Sequence, residues 1–581
     1  MITDILFPDL VTPATAFSAQ SKAMPQKPVF ARAPILAVSH CFPCNGTIRT
    51  TDESIKNLYV TAGRWIDNPY LWEGLFRVAC LIKNKPMEEP VTALILNAVR
   101  DTENGSAEGC LSRQISIIRA AFAVYEYNTD RMLLQRLAVW CHYLEIEFEH
   151  LIKEDPEPLY KPADLMEFLV RFYQVTGLKA VLRICTRLRA AAFNWTSALH
   201  TFQQSIPVCT DELHPVMPEL TEAPEDIDYD EKEKLINHAE MLADGIRYSV
   251  FSGIFSGNGQ DLAAGKVVWR YLRKHHHALC GGTTSNPYLC GNAPEQPISN
   301  CTVAAWVEAF ASQLILEDSE WALDELIRIV FNSLEDCLNK ERAGNIQKVN
   351  GSAYAFNQSG ETADLYARLT RAAAVVYQHA VTLKEKGICV NYTVPGKFLL
   401  MIRKQAVILN MNEDSLQLQC KKTINAYLDV FIPVTGTSVI KLTGSQEDTD
   451  LTDTVVSKES GYYVHLKKEW QNQDGVLFED TDRVISEDTH HQGICYIHNN
   501  RLYALPVKKD DPNYAVHSGS EIYDGGVKVS MSVIPGTYHP DKKTDIPVLP
   551  VSDSQAELKE LIPYSRTKDR MTMFPRIKTH V

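Results

Sequence analysis

Between residues 70 and 384 one unit recurs: a helical stripe, a short polar break, and a second helical stripe. In Leu111–Tyr125, apolar residues at 115, 118, 122 and 125 mark one helix face, and Asn128-Thr129-Asp130 breaks it before Met132–Ile152. The unit returns at 163–175 and 179–192 across a Thr-Gly break, and at 233–252 and 261–274 across Ser256-Gly-Asn-Gly. It returns again at 302–316 and 321–338 across Glu317-Asp-Ser. Such hairpins cannot bury their apolar stripes alone and must stack on neighbours. About five or six fit, and no polar capping repeat is obvious, which predicts a closed (α/α)6 toroid over residues 70–386 rather than an open solenoid. Acidic Thr210–Lys234 interrupts the series and reads as a solvated insertion.

After residue 387 the apolar period shortens to two. Ile388, Val390, Tyr392 and Val394 alternate, as do Leu428, Val430 and Ile432, and later Val464 and Leu466 against Tyr463, His465 and Lys467. Turn residues at Val434-Thr-Gly-Thr and Asn472 to Gly475 separate the runs. Residues 387–545 therefore read as an antiparallel β-sandwich. Residues 1–69 are Pro-rich and irregular with a strand-like PILAV at 34–38, and 546–581 form a tail with a short helical pattern near 554–562. The expected fold class is multidomain α and β, a toroid of helical hairpins followed by a sandwich.

A chain of 581 residues exceeds one ordinary core. Its net charge of −14 disfavours nucleic acid and anionic membrane as partners. No apolar run nears the roughly 20 residues that span a bilayer. The N-terminus lacks a basic region followed by an apolar one, so no signal peptide is expected. Fourteen scattered cysteines then read as free thiols in a reducing cytoplasm. Cys41-Phe-Pro-Cys44 has neither a βαβ setting nor a second ligand pair.

Chemistry concentrates in His275–Phe310, which holds a Gly-Gly turn, three cysteines, three histidines and Glu295 between two helical patterns. Three consecutive histidines point in different directions and make a poor shared metal site. Residues 235–286, LINHAEMLADGIRYSVFSGIF followed by VVWRYLRKHHHALCGGTTSN, resemble the Gly-His-Ala-x-Arg helix, its partner and the Gly-rich loop of glycoside hydrolase family 127, the β-L-arabinofuranosidases. The Asn300-Cys301 helix, LDELIRIVFNSL, YYVHLKKEWQNQDGVLFE and GICYIHNNRLYALP resemble later segments of that family, in the same order. The resemblance implies the toroid and sandwich, and a retaining glycosidase with a zinc-bound cysteine nucleophile, a glutamate acid/base, and three cysteines and one glutamate on zinc.

Residue by residue the likeness is incomplete. His238 matches the family's active-site histidine. Cys301 matches a zinc-ligand cysteine at a helix N-terminus, where the helix dipole favours thiolate. Ser299 replaces the ligand glutamate, and aligning Leu365-Tyr-Ala-Arg-Leu on the family's Asn-x-Ala-Arg-Leu puts Glu361-Thr362 where two cysteines belong. Cys301 is then the single zinc-ligand position retained, so no cofactor is expected and zinc is disfavoured. Two carboxylates remain, Glu295 in the acid/base loop and Glu361 at the nucleophile position, and their separation would set retention or inversion. Glu308, Tyr354 and Trp195 are candidate sugar-binding residues, Glu308 because it shares a helix face with Cys301. The expected function is hydrolysis of a small oligosaccharide or glycoside by carboxylates. A non-catalytic sugar-binding or scaffold relative, and a lyase or epimerase on the same toroid, stand as alternatives. The expected partner is a carbohydrate, and the chain permits a homodimer.

Overall fold

The computed structural model describes residues 53–100, 109–208, 224, 229–316, 319–338, 346–352, 363–384, 387–402, 405–412, 414–433, 438–444, 461–480, 485–488, 493–506, 534–535, 539–540, 547–552, 558–567 and 569–575, with short strands at 38–39 and 48–49. Twelve of the described helices make six pairs. They are Glu53–Ala62 (α1), Trp72–Ile82 (α2), Lys85–Arg100 (α3), Leu111–Asn128 (α4), Arg131–Glu154 (α5), Ala163–Thr176 (α6), Lys179–Ala191 (α7), Ala239–Ser256 (α8), Gly259–His275 (α9), Asn300–Gln313 (α10), Glu320–Arg328 (α11) and Ala363–Ala380 (α12). Local chemistry sets the breaks. Asp130 and Asn258 cap α5 and α9 by accepting from the N–H groups of Met132 and Gln260. Gly177 and Gly257 end α6 and α8 in the left-handed conformation that glycine adopts without strain.

The even-numbered helices pack in a closed cycle, each on the next and α12 back on α2. The odd-numbered helices pack outside them. Burial follows this division. Helices α8 and α10 are buried nearly all round, whereas α7 and α9 bury one face. Helix α1, ahead of residue 70, buries Ile55, Leu58, Tyr59 and Ala62 and packs on both α2 and α12.

Two sheets follow the helices. One orders Val38–Ser39, Val381–Lys384, Gly387–Val390, Ile424–Ile432 and Tyr462–Trp470; the other orders Ser438–Thr443, Gly475–Asp480, Ser415–Cys420, Gln405–Met411, Gly396–Ile402 and Ile48–Arg49. Leu428 lies opposite Leu466, and Val430 opposite Val464, so the period-two pattern falls in register. One pair departs from the antiparallel expectation: Ile424–Ile432 runs parallel to Gly387–Val390. The chain visits the second sheet for three strands between them, which supplies the long crossover that parallel pairing needs.

A third sheet joins strands on both sides of residue 546, among them Gly493–His498, Arg501–Pro506, Pro547–Ser552 and Leu558–Pro563. The helical pattern near 554–562 is thus strand from Leu558 onward, where pairing with Pro547–Ser552 and Arg501–Pro506 overrides local propensity. The tail is anchored by Arg570, fully buried, whose guanidinium donates to both Asp336 oxygens at 3.0 and 3.3 Å and to the carbonyls of Tyr564, Thr567 and Lys348. It also lies 3.5 Å from the Tyr564 ring centroid. Asn350 adds a second tie by accepting from the N–H groups of Thr572 and Met573. Replacing Arg570 with Met leaves Asp336 charged in the interior and is expected to cost about 3–5 kcal/mol in denaturant unfolding, part of which Asp336→Asn restores.

Candidate active site

The axis of the helix cycle is polar. Arg119 of α4, Arg247 of α8 and Arg371 of α12 all donate to Asp164, the second residue of α6. Arg247 and Arg371 also hold Glu308 of α10, at 2.9 and 3.1 Å. Glu73 bridges Arg77 and Arg119 at 3.0 and 2.8 Å, and Glu126 joins Arg77 to Arg171 of α6. Every helix of the inner cycle enters this network. Burial opposes ionisation of Asp164, but Arg119, Arg371 and Arg247 together hold its carboxyl well below the usual carboxylate range.

The network also shows how the helices are offset. Asp164 is second in α6, whereas Arg119 and Arg247 are each ninth in α4 and α8. The inner helices run the same way, because an outer helix returns the chain each time. Helix α6 therefore begins about seven residues, ~10 Å, deeper than its neighbours. Asp164 keeps 33% of its side chain accessible.

Nearer the mouth, Arg368 of α12 pairs with Glu240 at 3.2 Å and Asp244 at 3.3 Å, both on α8. Helix α10 lies between α8 and α12 in the cycle, so a bridge joining them crosses its axial side. Cys301, second residue of α10, sits within the field of this bridge. Burial and then Glu240 push its thiol up, against Arg368, so desolvation overcomes the dipole and the expected thiolate does not form.

Loop 276–299 joins α9 to α10. Trp306 Nε1 donates to Thr283 Oγ1 at 3.0 Å, and Gly281 and Gly282 turn with φ of 97° and 74°. A Cβ on Gly281 would come within 2.8 Å of the Ile329 nitrogen, so this turn requires glycine. The histidine tract diverges as expected: His275 packs on Tyr271, His276 lies between Gly291 N and Gln204 O, and His277 meets Glu325 at 3.1 Å. Burial opposes ionisation of Glu325, yet His277, Arg328 and Arg273 lower its carboxyl to about 2.

The candidates separate. His238 precedes α8, faces Tyr288 edge-on at 5.3 Å, and has a buried Nδ1 with no protein partner. Burial, with Lys161 and Arg368, holds its imidazole below the ordinary value and therefore neutral near pH 7. Glu295 is buried in the turn before strand Pro297–Ser299, which pairs with Ile346–Lys348. Ser285 connects that strand to Leu289 and the loop, whose Tyr288 pairs with His238. Glu308 lies deeper, inside the ion network. Trp195 is fully buried, with its Nε1 donating to the Tyr160 carbonyl and its ring against Gly245, where a Cβ would come within 2.3 Å. Glu361 and Tyr354 lie outside the described residues. Glu240, Asp244, Arg368 and Asp164 were not selected from the sequence. Their signal was the presence of charge on helices otherwise apolar all round.

Of the positions that the family resemblance assigns to zinc, Ser299 and Cys301 lie among the described residues and 361–362 do not. Among the described residues no three His, Cys, Asp or Glu side chains group so as to hold a metal ion.

The loop carries a pH dependence. His276 Nδ1 accepts from Gly291 N at 3.1 Å, which leaves the ring proton on Nε2 toward Gln204 O at 2.6 Å. Burial lowers its pKa from 6.5 to about 4, so between those values the unfolded loop binds more protons and the folded loop loses stability as pH falls. Hydrogen exchange corrected for intrinsic rates is expected to show weaker protection over 276–291 at about pH 5 than at about pH 7.5. Equal protection would contradict this account.

No family model matches the chain, and no curated protein matches it. Solved structures do. One described as a glycoside hydrolase superposes with a TM-score of 0.66 at 12% identity, covering 94% of this chain and 98% of that one. A family 127 β-L-arabinofuranosidase from Geobacillus stearothermophilus T6 gives 0.59 at 14% identity, over 90% and 94% of the two chains. Another family 127 β-arabinofuranosidase gives 0.60 at 13% identity, over 98% and 94%. Over nine-tenths or more of its length, the chain has the fold of glycoside hydrolase family 127.

Proposed function

We propose that this chain is a glycoside hydrolase of arabinofuranosidase-like type that cleaves a small oligosaccharide or glycoside at the mouth of its helix cycle. In this reading the cycle is an (α/α)6 toroid and the two sheets that follow are its β-sandwich. The observation that carries the reading is a set of buried polar atoms without a protein partner at that mouth: Asn237 Oδ1, His238 Nδ1, Ser285 Oγ, Thr302 Oγ1 and Arg368 Nη1. Leaving one such group unpaired costs about 1–3 kcal/mol, and native interiors contain few. A sugar, whose hydroxyls both donate and accept, answers a mixed set of this kind.

Hydrolysis needs a proton for the leaving oxygen and an anion facing the sugar. Glu295 is proposed as the acid, and Glu361 as a second carboxylate. Neutral His238 offers Nδ1 to a sugar hydroxyl. No step is routed through zinc. The free thiols of the described cysteines support a reducing compartment, for which the cytoplasm is proposed.

Aryl arabinofuranosides, then aryl pyranosides, assayed with wild type, Glu295→Gln and Glu361→Gln test this. Wild type is expected to cleave at least one, and Glu295→Gln to lose about a hundredfold or more in kcat. Activity fully retained in both variants overturns the carboxylate mechanism. Stoichiometric zinc in the purified protein would also overturn it.

A further inference from the structure

The axial network carries an imbalance with chemical consequences. Among the described residues it joins seven carboxylates, Glu73, Glu126, Asp164, Glu167, Glu240, Asp244 and Glu308, to six guanidiniums. One negative charge is left over. The interior carboxylates Asp164 and Glu308 each touch two or more arginines, so their charge is matched where they sit. Glu240 and Asp244 share Arg368, and Asp244 has Arg247 as well at 3.4 Å. Glu240, by contrast, pairs with one guanidinium, Arg368, and keeps 17% of its side chain accessible.

Its direction is fixed by the fold. Glu240 stands in the first turn of α8 and reaches Arg368 on α12 past the N-terminus of α10, which places its carboxylate on the axial side, beside Cys301. Two of the five unpartnered polar atoms, His238 Nδ1 and Arg368 Nη1, belong to residues in its immediate electrostatic surroundings. Nearby Lys161 is occupied by Glu157 at 2.7 Å and does not cancel the excess.

We propose that Glu240 is a catalytic carboxylate of this site, whose fixed negative charge stabilises the positive charge that develops on the sugar ring as the glycosidic bond breaks. The proposal rests on the glycosidase reading above and deepens it. Glycoside cleavage passes through an oxocarbenium-like transition state, and a preorganised opposite charge in a partly desolvated site acts on that state more than on the neutral substrate. Glu240 takes no proton and forms no bond in this role. Arg368 is a positioning residue that holds the carboxylate toward the axis.

The test uses the full chain and the aryl glycoside that wild type cleaves. Glu240→Gln keeps the shape and removes the charge. It is expected to lower kcat about a hundredfold with little change in KM. Affinity for a protonated iminosugar, 1,4-dideoxy-1,4-imino-L-arabinitol, is expected to drop at least about tenfold in Glu240→Gln, while affinity for neutral L-arabinose is unchanged. Thermal unfolding within a few degrees of wild type, and the exposed control Glu154→Gln, guard against loss of fold. Equal loss of affinity for the iminosugar and the neutral sugar, or unchanged kcat in Glu240→Gln, overturns the assignment of Glu240 while the glycosidase reading stands. If wild type cleaves no glycoside and binds neither sugar, that reading fails and the role of Glu240 fails with it.

Discussion

The helix cycle depends on the ion network along its axis. Six inner helices leave a central space that apolar side chains do not fill here. Arginines from α2, α4, α6, α8 and α12 instead meet carboxylates from α2, α4, α6, α8 and α10. Such a network is a weak source of net stability, because desolvating each ion costs several kcal/mol that its partners only offset. Its effect is on specificity. Asp164 is satisfied only when α4, α8 and α12 all present their arginines at one depth, so a slipped helix leaves a buried charge alone. The sign of the linkage follows. Carboxylates held below their ordinary range contribute stability that is present above the unfolded value near about 4 and lost only as pH falls further.

The same network shapes the mouth. Because α6 starts deeper than its neighbours, Asp164 lies below Glu240, Arg368 and His238 along the axis. Loop 276–299 is held by a π-helical turn, Ile329–Leu334. Ser333 donates to the Cys280 carbonyl, Arg328 at its N-cap donates to the Leu279 carbonyl, and Ile329 closes on Gly281. Asn332 of that turn bonds to Asn500 and Leu502, tying the loop to the third sheet. The wide turn of a π-helix spaces these side chains differently from an α-helix, and such turns recur beside functional sites.

Much of the architecture was legible in the sequence because it rests on local rules. The helix pairs at 111–152, 163–192, 233–274 and 302–338 follow from stripe, cap and break, and the later strands follow from alternation. The site was legible only in outline. His238 precedes α8 and Cys301 is second in α10, whereas Glu308, which shares Cys301's helix face, is two turns further along and bound by Arg247 and Arg371. Trp195, an apparent stacking platform, is wedged against a glycine of α8. Sequence spacing places a side chain on a helix face. It does not say how far along the axis the neighbouring helices are shifted.

By itself the sequence determined the helical hairpins, the switch to strands and the Gly-Gly turn of the loop before α10, since each depends on residue type at short range. Only the tertiary structure decided that α1 packs outside the cycle on α2 and α12, that the tail enters a sheet through Leu558–Pro563 and locks with Arg570, and that Glu240 faces the axis. These depend on partners up to hundreds of residues apart. The physical reason is burial: a charge such as Arg570 or Asp164 selects its partner from whatever the fold brings within hydrogen-bond reach, and that choice has no period to read.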